Sequence, residues 1–421
     1  MSTLGKRTTN KEEILPPVKI VPLWRNRDYL LLWTGQTISN VGSSVSALAF
    51  PLLVLLVTHS AAQAGLVGAL NALPRVFFTL LAGVMIDRWD RKRVMLTCDF
   101  CRALSLASIP IAAALGHLTV LQLYVTAIIE GSLVIFSSLA HTASLPQVVS
   151  KEHLPAAIGQ TEVTEGVTTL CGPSLGGLLF TLGSMLPFLV DAISYAVSIL
   201  TLLLIHTPFQ KERLPAQRKI RVEIVEGFVW LWRQPFLRDM TLLSGASALG
   251  VAGGTLIVIL LAQQQHASAA IIGLIFAAGG VGAIIGSLVA PLVQKRFTVG
   301  QSILLVRWIF CVLLLLYVFK PSVLVLGLIE FGFGVADPFE DVPFFSYRHA
   351  LIPDELKGRV ISVCRLFPGI IRSLGLALTG VLIQQMGVMA AILFSFGIWL
   401  VMTIAITFNK HIRKAGRLAE L

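Results

Sequence analysis

The sequence predicts an all-α polytopic membrane protein in which twelve transmembrane helices form two pseudo-symmetric six-helix bundles. Its 421 residues are 55% hydrophobic and only 13% charged, with a mean hydropathy of +0.82, whereas soluble domains carry about 25% charged residues. Apolar runs of about 20 residues, the length that crosses a bilayer, recur along the whole chain. The charged residues concentrate in the connectors between these runs.

The predicted spans are separated by short polar connectors, with one longer polar break after the sixth span. They cover residues 29–57, 64–86, 94–115, 118–140, 156–182, 186–205, 240–261, 269–293, 301–319, 323–345, 360–386 and 388–408. The corresponding domains are an N-terminal tail (1–27), an N-terminal bundle (28–207), a linker (208–238), a C-terminal bundle (239–408) and a C-terminal tail (409–421).

The distribution of basic residues in the connectors predicts the orientation of the chain. Lysine and arginine resist translocation and are retained on the cytoplasmic side. Both tails, the linker and the connectors on their side are rich in these residues, whereas the connectors on the opposite side carry only Lys320. We therefore expect a multi-pass protein of the plasma membrane with both termini in the cytoplasm.

The two halves of the chain resemble each other at an offset of about 200 residues. Leu23-Trp24-Arg25 precedes the first span, and Leu231-Trp232-Arg233 precedes the seventh. Gly83 with the basic loop after it corresponds to Gly286 with Lys295-Arg296. Paired repeats of this kind are typical of transporters that bind their substrate between the repeats.

The connector between the second and third spans carries the densest cluster of charge. The residues of interest are Gly83, Asp87, Arg88, Arg91 and Lys92. A carboxylate there can meet a helix amino terminus, and the basic side chains can bind helix carboxyl ends or anionic lipid head groups. The alternative is a basic loop that only fixes orientation.

This connector resembles the Gly-x-x-x-Asp-Arg/Lys-x-Gly-Arg-Arg/Lys signature of the major facilitator superfamily, with Asp90 in place of the second glycine. The resemblance covers nearly the whole chain. It implies the major facilitator fold, a small-molecule substrate and a gating role for the loop. In such proteins the carboxylate that corresponds to Asp87 latches the two halves, here against the start of the eleventh span near Gly358 and Arg359.

The fifth span contains a second motif of small residues around a proline. Its members are Gly159, Thr168, Gly172, Pro173, Gly176 and Gly177. It resembles the helix-5 antiporter motif of proton-coupled exporters, with Thr168 where a glycine is usual. Physically, Pro173 bends the helix and the glycines allow close packing, so an ordinary kinked helix is the alternative. The whole pattern is similar to the macrolide-efflux and enterobactin-exporter branch of the drug:proton antiporters.

Ionisable residues within the spans are candidates for proton coupling, because a charge at membrane depth is costly and usually functional. The candidate proton carriers are Glu130, Glu165, Asp337 and Asp341. The candidate charge partners are Arg75, Arg307, Glu330, Arg365 and Arg372.

The helical rise predicts which of these charges lie at similar depth. It pairs Arg75 with Glu130 and Arg372 with Glu330, and it puts Arg365 and Arg307 near Asp337. In related antiporters the fourth helix carries Arg-x-x-Gln-Gly, whereas here Glu130 occupies the glutamine position and the arginine is absent. A static network of salt bridges is the alternative to proton carriage.

Together these features predict a secondary active transporter that exports amphipathic small molecules, such as a drug, an antibiotic or a siderophore, by proton antiport. Import or lipid flipping on the same fold remains the alternative. No nucleophile with an adjacent base and no ATP-binding loop is present in the sequence, which argues against a membrane enzyme or an ATP-driven pump. We expect no cofactor, no metal and no nucleic acid, with protons and membrane lipids as partners of a monomer.

Overall fold

The computed structural model describes residues 22–209, 220–353, 356–413 and 415–416. Most of the predicted N-terminal tail, part of the predicted C-terminal tail and residues 210–219 of the predicted linker lie outside these ranges. The described chain folds into helices throughout. They are α1 (Arg27–Thr58), α2 (Ala61–Arg88), α3 (Arg91–Ala114), α4 (Val120–Val148), α5 (Leu154–Leu182), α6 (Leu186–Leu204), α7 (Ile220–Arg233), α8 (Pro235–Val251), α9 (Gly254–Gln264), α10 (Ala269–Arg296), α11 (Val299–Leu316), α12 (Val323–Leu351), α13 (Lys357–Met386), α14 (Val388–Phe408) and α15 (Lys410–Arg413).

Nine segments of the described chain are long and apolar enough to cross a membrane, with α8 and α9 counted as one segment. Three more helices, α2, α5 and α12, have comparable lengths of 28, 29 and 29 residues. They contain charges such as Arg75, Glu165 and Asp337. With these three included, the structure has the twelve long segments that the sequence predicts.

The seventh span is interrupted, which the sequence did not predict. The expected continuous helix at 240–261 is instead α8 followed by α9, with a turn at Ala252 and Gly253 between them. Gly253 lies in the turn, and Gly250 and Gly254 lie beside it. Glycine lowers helix propensity by about 1 kcal/mol per residue relative to alanine, so three of them favour a break here.

We call the end of the bundle where α6 ends and α8 begins the linker end, and the opposite end the far end. The two halves meet along two seams, α2 against α13 and α5 against α10. At the far end, the Ala61 N–H donates to the Gln384 side chain at 2.9 Å and the Ala270 N–H donates to the Thr181 hydroxyl at 2.9 Å. The seams are therefore closed at the far end.

The α5/α10 seam separates toward the linker end. A single face of α5, traced by steps of four and seven residues, carries Gly177, Leu170, Gly166 and Gly159. Gly177 and Leu170 contact α10, but a methyl group on Gly166 or Gly159 would meet nothing within 4 Å. The contact with α10 thus ends midway along α5.

The α2/α13 seam shows the same change along its length. Gly65 approaches the backbone of Gly380 near the far end, and Val76 approaches Gly369 near the middle. Gly83 continues this face of α2 toward the linker end, and a methyl group on it would meet nothing within 4 Å. The halves consequently enclose a cleft that is closed at the far end and opens toward the linker end.

Candidate functional site

Two cavities lie around the break between α8 and α9. The first, which we call the interface cavity, has a volume of about 230 Å³ and is lined by α1 to α4 of the N-terminal half and by α9 and α13 of the C-terminal half. The second, the C-terminal cavity, has a volume of about 360 Å³ and lies among α8 to α14. Thr255, in the first turn of α9, lines both cavities.

The interface cavity combines an apolar wall with an accessible cation. Phe50, Val67, Leu256 and Leu376 supply apolar surface. Arg75 also lines this cavity and is exposed to it, and it forms no ion pair with any described residue. A pocket of this kind suits an amphipathic ligand, since apolar surface supplies affinity and a few polar groups fix orientation.

Glu130 pairs with an arginine that was not among the predicted charge partners. The Arg102 guanidinium of α3 donates to the Glu130 carboxylate at 2.9 Å and lies 4.3 Å from the centre of the Tyr195 ring. Arg102 and Glu130 are only 5% and 7% exposed. The expected ion pair between Arg75 and Glu130 is therefore wrong, because Arg102 holds that carboxylate.

Two further buried acids on the N-terminal side were also missed. Asp191 of α6 accepts hydrogen bonds from Ser46 and Ser194. Asp99 of α3 accepts from Ser198 at 2.7 Å, as well as from a serine of α4. The same signal that marked Glu130, an ionisable residue in the middle of a predicted span, could have found both acids and Arg102.

The C-terminal half contains a matching charge cluster. The Arg307 guanidinium of α11 contacts both carboxylate oxygens of Glu340, with its Nε 3.0 Å from each. It also donates to Ser247 at 2.8 Å and lies 4.6 Å from the centre of the Trp399 ring. Arg307 lies near Asp337, as expected, and interacts with it electrostatically, but its ion pair is with Glu340, three residues later on α12.

The two clusters are built from the same helices of each half. In both, the first helix of the half supplies a serine, the third an arginine, the fourth a glutamate and the sixth an aromatic ring. The corresponding positions are separated by about 200 residues, the offset of the internal repeat. They are Ser43 and Ser247, Arg102 and Arg307, Glu130 and Glu340, and Tyr195 and Trp399.

The remaining acids of α12 do not pair with the arginines expected for them. Glu330 accepts a hydrogen bond from the Tyr317 hydroxyl at 2.6 Å rather than from Arg372. Asp337 is exposed to the C-terminal cavity, and neither it nor Arg365 has an ion-pair partner among the described residues. The expected pairs of Arg372 with Glu330 and Arg365 with Asp337 are therefore absent from the described part of the chain.

Asp341 lies one helical turn after Asp337 on α12 and is partly buried. It interacts electrostatically with Asp337, Glu340 and Arg307. Asp337, Glu340 and Asp341 are thus gathered beside the tightly bound Arg307, and Arg348 also interacts with Asp341. Glu165 of α5 is exposed, has Glu162 as a charged neighbour and lies in the part of α5 that has separated from α10.

The glycines of the fifth-span motif allow close packing against two different helices, α1 and α10. A methyl group on Gly172 or Gly176 would collide with Ser44 or Val45 of α1, so these two glycines allow close packing within the N-terminal half. Gly177 instead packs on α10 of the other half. The Thr168 carbonyl accepts a hydrogen bond from Ser44 at 3.2 Å, and Pro173 lies inside a continuous helix.

Two basic residues in the first turn of α3 donate hydrogen bonds to carbonyls near the ends of other helices. Arg91 is 2% exposed and donates to the carbonyl of Ala143, near the end of α4, at 2.6 Å. Lys92 donates to the carbonyl of Ile205, at the end of α6, at 2.7 Å. Asp90 caps the amino terminus of α3 by accepting from the Arg93 N–H at 2.9 Å, so this turn does not need a glycine.

Arg88 is exposed at the end of α2. The side chain of Asp87 and the surroundings of Gly358 lie outside the described part of the structure. The latch expected between Asp87 and the start of α13 therefore stays a prediction.

Comparison with known proteins gives relatives that match between 61% and 94% of the chain. The multidrug efflux pump Tap of Mycolicibacterium fortuitum is 25% identical over 377 residues, which covers 86% of this chain and 91% of that protein. An uncharacterised MFS-type transporter of Bacillus subtilis, YfiS, is 27% identical over 418 residues, 94% of this chain and 96% of that protein. The enterobactin exporter EntS of Citrobacter koseri is 28% identical over 268 residues, 61% of each chain.

Solved structures of major facilitator proteins share the fold. The nucleoside transporter NupG, solved as a point mutant, superposes with a TM-score of 0.74 at 13% identity and covers 90% of this chain and 100% of its own. A bacterial homologue of the iron transporter ferroportin, in an inward-facing state, gives 0.73 at 16% identity and covers 92% and 99%. The family described as transmembrane secretion effector matches residues 19–420. The chain is thus a multi-pass transporter, not an enzyme, and it belongs to the transmembrane secretion effector family of the major facilitator superfamily.

Proposed function

We propose that this transporter exports amphipathic small molecules from the cytoplasm by alternating access, with protons moving inward in exchange. The observation that carries the proposal is the cleft, which is closed at the far end by both seams and opens at the linker end onto the interface cavity. The linker end is assigned to the cytoplasm because the basic connectors lie there. This conformation would then load substrate from the cytoplasm.

The direction of transport is supported by the relatives and by the fifth-span motif. Tap is named a multidrug efflux pump and EntS an enterobactin exporter. Gly177 belongs to the motif and lies in the α5/α10 seam that must open for release. On this proposal the bundles at 28–207 and 239–408 rock about the cavities in a monomer surrounded by plasma-membrane lipids, with both termini in the cytoplasm.

Asp337 is the carboxylate best suited to carry the exchanged proton. It faces a cavity, lacks an ion pair among the described residues and lies on the same face as Asp341. Two carboxylates one turn apart disfavour joint ionisation, which helps one of them to hold a proton. Glu130 and Glu165 are the alternative carriers, although Glu130 would first have to leave Arg102.

We predict that Asp337→Asn abolishes substrate-dependent proton flux while the protein stays folded, because an amide cannot take up and release the proton. The measurement is a pH-sensitive dye in proteoliposomes, with a substrate selected from a panel of cationic, neutral and anionic fluorescent amphiphiles. Glu152→Gln, an exposed carboxylate outside the spans, is the control and should match the wild type. Undiminished flux in Asp337→Asn would remove this residue from proton coupling.

A further inference from the structure

Two arginines meet at the same level of the α2/α13 seam. Val76 contacts Gly369 there, and Arg75 and Arg372 lie within one turn of this contact on α2 and α13. Arg75 lines the interface cavity, Arg372 lines the C-terminal cavity, and both are exposed to these cavities. The two positive charges repel each other, and Arg75 also interacts with the Arg102–Glu130 pair, whose cation repels it and whose carboxylate attracts it.

Neither arginine forms an ion pair with a described carboxylate. The nearby acids have other partners, since Glu130 is bound to Arg102 and Glu330 accepts from Tyr317. Asp337 lines the same cavity as Arg372 but interacts instead with Arg307 and Glu340. Two like charges without an ion pair of their own at membrane depth are costly, and an anion bound between them would relieve this cost.

The break in the seventh span adds a third feature that favours the binding of an anion, which is the amino terminus of α9. The first turn of α9 has backbone N–H groups without intrahelical acceptors, and no described side chain caps this end of the helix. Thr255 in that turn lines both cavities, and Gly254 lines the C-terminal cavity. Half-helix amino termini of this kind point at anionic substrate groups in other transporters with broken helices.

We infer that Arg75, Arg372 and the amino terminus of α9 form a subsite for an anionic oxygen group of the exported molecule. The chemical class is an amphiphile with a carboxylate, phosphate or sulfonate on an apolar body. The body would rest against Phe50, Leu256 and Leu376 of the interface cavity. This inference rests on the proposed function, because it names the substrate class of the same cavities.

The test compares two ligands that differ only in charge, 1-naphthoate and its neutral amide, 1-naphthamide. Binding to the purified full-length chain in lipid nanodiscs is measured by calorimetry. Because a hydrogen bond to a charged group contributes about 1.5–3 kcal/mol, the wild type should bind naphthoate at least about tenfold more tightly than the amide. Naphthyl phosphate and naphthalenesulfonate, tested in parallel, show which anion the subsite prefers.

Arg75→Gln and Arg372→Gln should each abolish the preference for naphthoate and leave binding of the amide unchanged. Arg75→Lys keeps the charge and should retain most of the preference for naphthoate. A retained preference in this variant shows that the loss in Arg75→Gln comes from lost recognition of the anion and not from misfolding. Arg296→Gln, an exposed arginine at the end of α10, is the matched control and should behave as wild type. Equal binding of both ligands by the wild type, or a preference that survives both glutamine variants, would overturn the inference.

Transport assays with the amphiphile panel distinguish failure of the anion subsite from failure of the proposed export function. If panel compounds are exported but naphthoate has no advantage over its amide, the anion subsite is wrong and export stands. If naphthoate binding depends on Arg75 but no compound is moved outward, the subsite stands and the exporter assignment is wrong.

Discussion

Arg307→Leu is expected to lower the free energy of unfolding by about 3–5 kcal/mol, because it leaves the Glu340 carboxylate buried without its partner. The guanidinium of Arg307 contacts both oxygens of that carboxylate and donates to Ser247, and the residue is 4% exposed. An unfolding titration with sodium dodecyl sulfate in mixed micelles measures the loss. Glu340→Leu should be similarly costly, since it leaves the cation unpaired.

The double variant Arg307→Leu with Glu340→Leu separates the ion pair from general damage to packing. Apolar residues of similar volume can replace a buried pair at little cost, so the double variant should recover most of the lost stability. Arg296→Leu, at an exposed arginine, should change stability by no more than about 0.5 kcal/mol. A loss below about 1 kcal/mol for Arg307→Leu would contradict the assigned role of the pair.

Gly177→Ala is expected to shift the protein away from the conformation with a closed far end. The added methyl would lie 2.9 Å from the backbone carbonyl carbon of Ala269 and 3.1 Å from the Cα of Gly273, and neither can move without moving α10. Overpacking of this kind costs about 1–3 kcal/mol. The ratio of closed to open far ends should therefore fall by about five- to 150-fold.

Spin labels at Leu182 and Ile271, at the far ends of α5 and α10, would measure this shift as a population with longer label-to-label distances. Gly166→Ala is the matched control, since it lies on the same face of α5 and its methyl would meet nothing within 4 Å. Identical distance distributions for Gly177→Ala, Gly166→Ala and wild type would mean that the α5/α10 seam does not set the conformation.

The architecture could be predicted from the sequence because hydropathy and length determine which segments cross a bilayer. The span predicted at 388–408 coincides with α14, and the span predicted at 186–205 ends one residue beyond α6. The break after Val251 was missed because a hydropathy pattern responds to apolar character and not to the backbone preferences of Gly253 and Gly254.

The partners of the buried charges could not be predicted in the same way. Helical rise gives depth with an error of about one turn, and it does not say which face of a helix meets which neighbour. Depth alone therefore paired Glu130 with Arg75, although Arg102 on the neighbouring α3 binds it. The internal repeat carried the missing information, because Arg102 and Arg307 occupy equivalent helices and each pairs with a glutamate.

The central claim is outward, proton-driven transport through the cleft, and inside-out membrane vesicles test it most directly. The vesicles contain the full-length chain, and accumulation of the fluorescent amphiphile panel is followed after the lumen is made acidic. We expect that at least one compound accumulates in the lumen and that a protonophore releases it. Accumulation only in right-side-out vesicles, or accumulation that does not respond to the proton gradient, would contradict the claim.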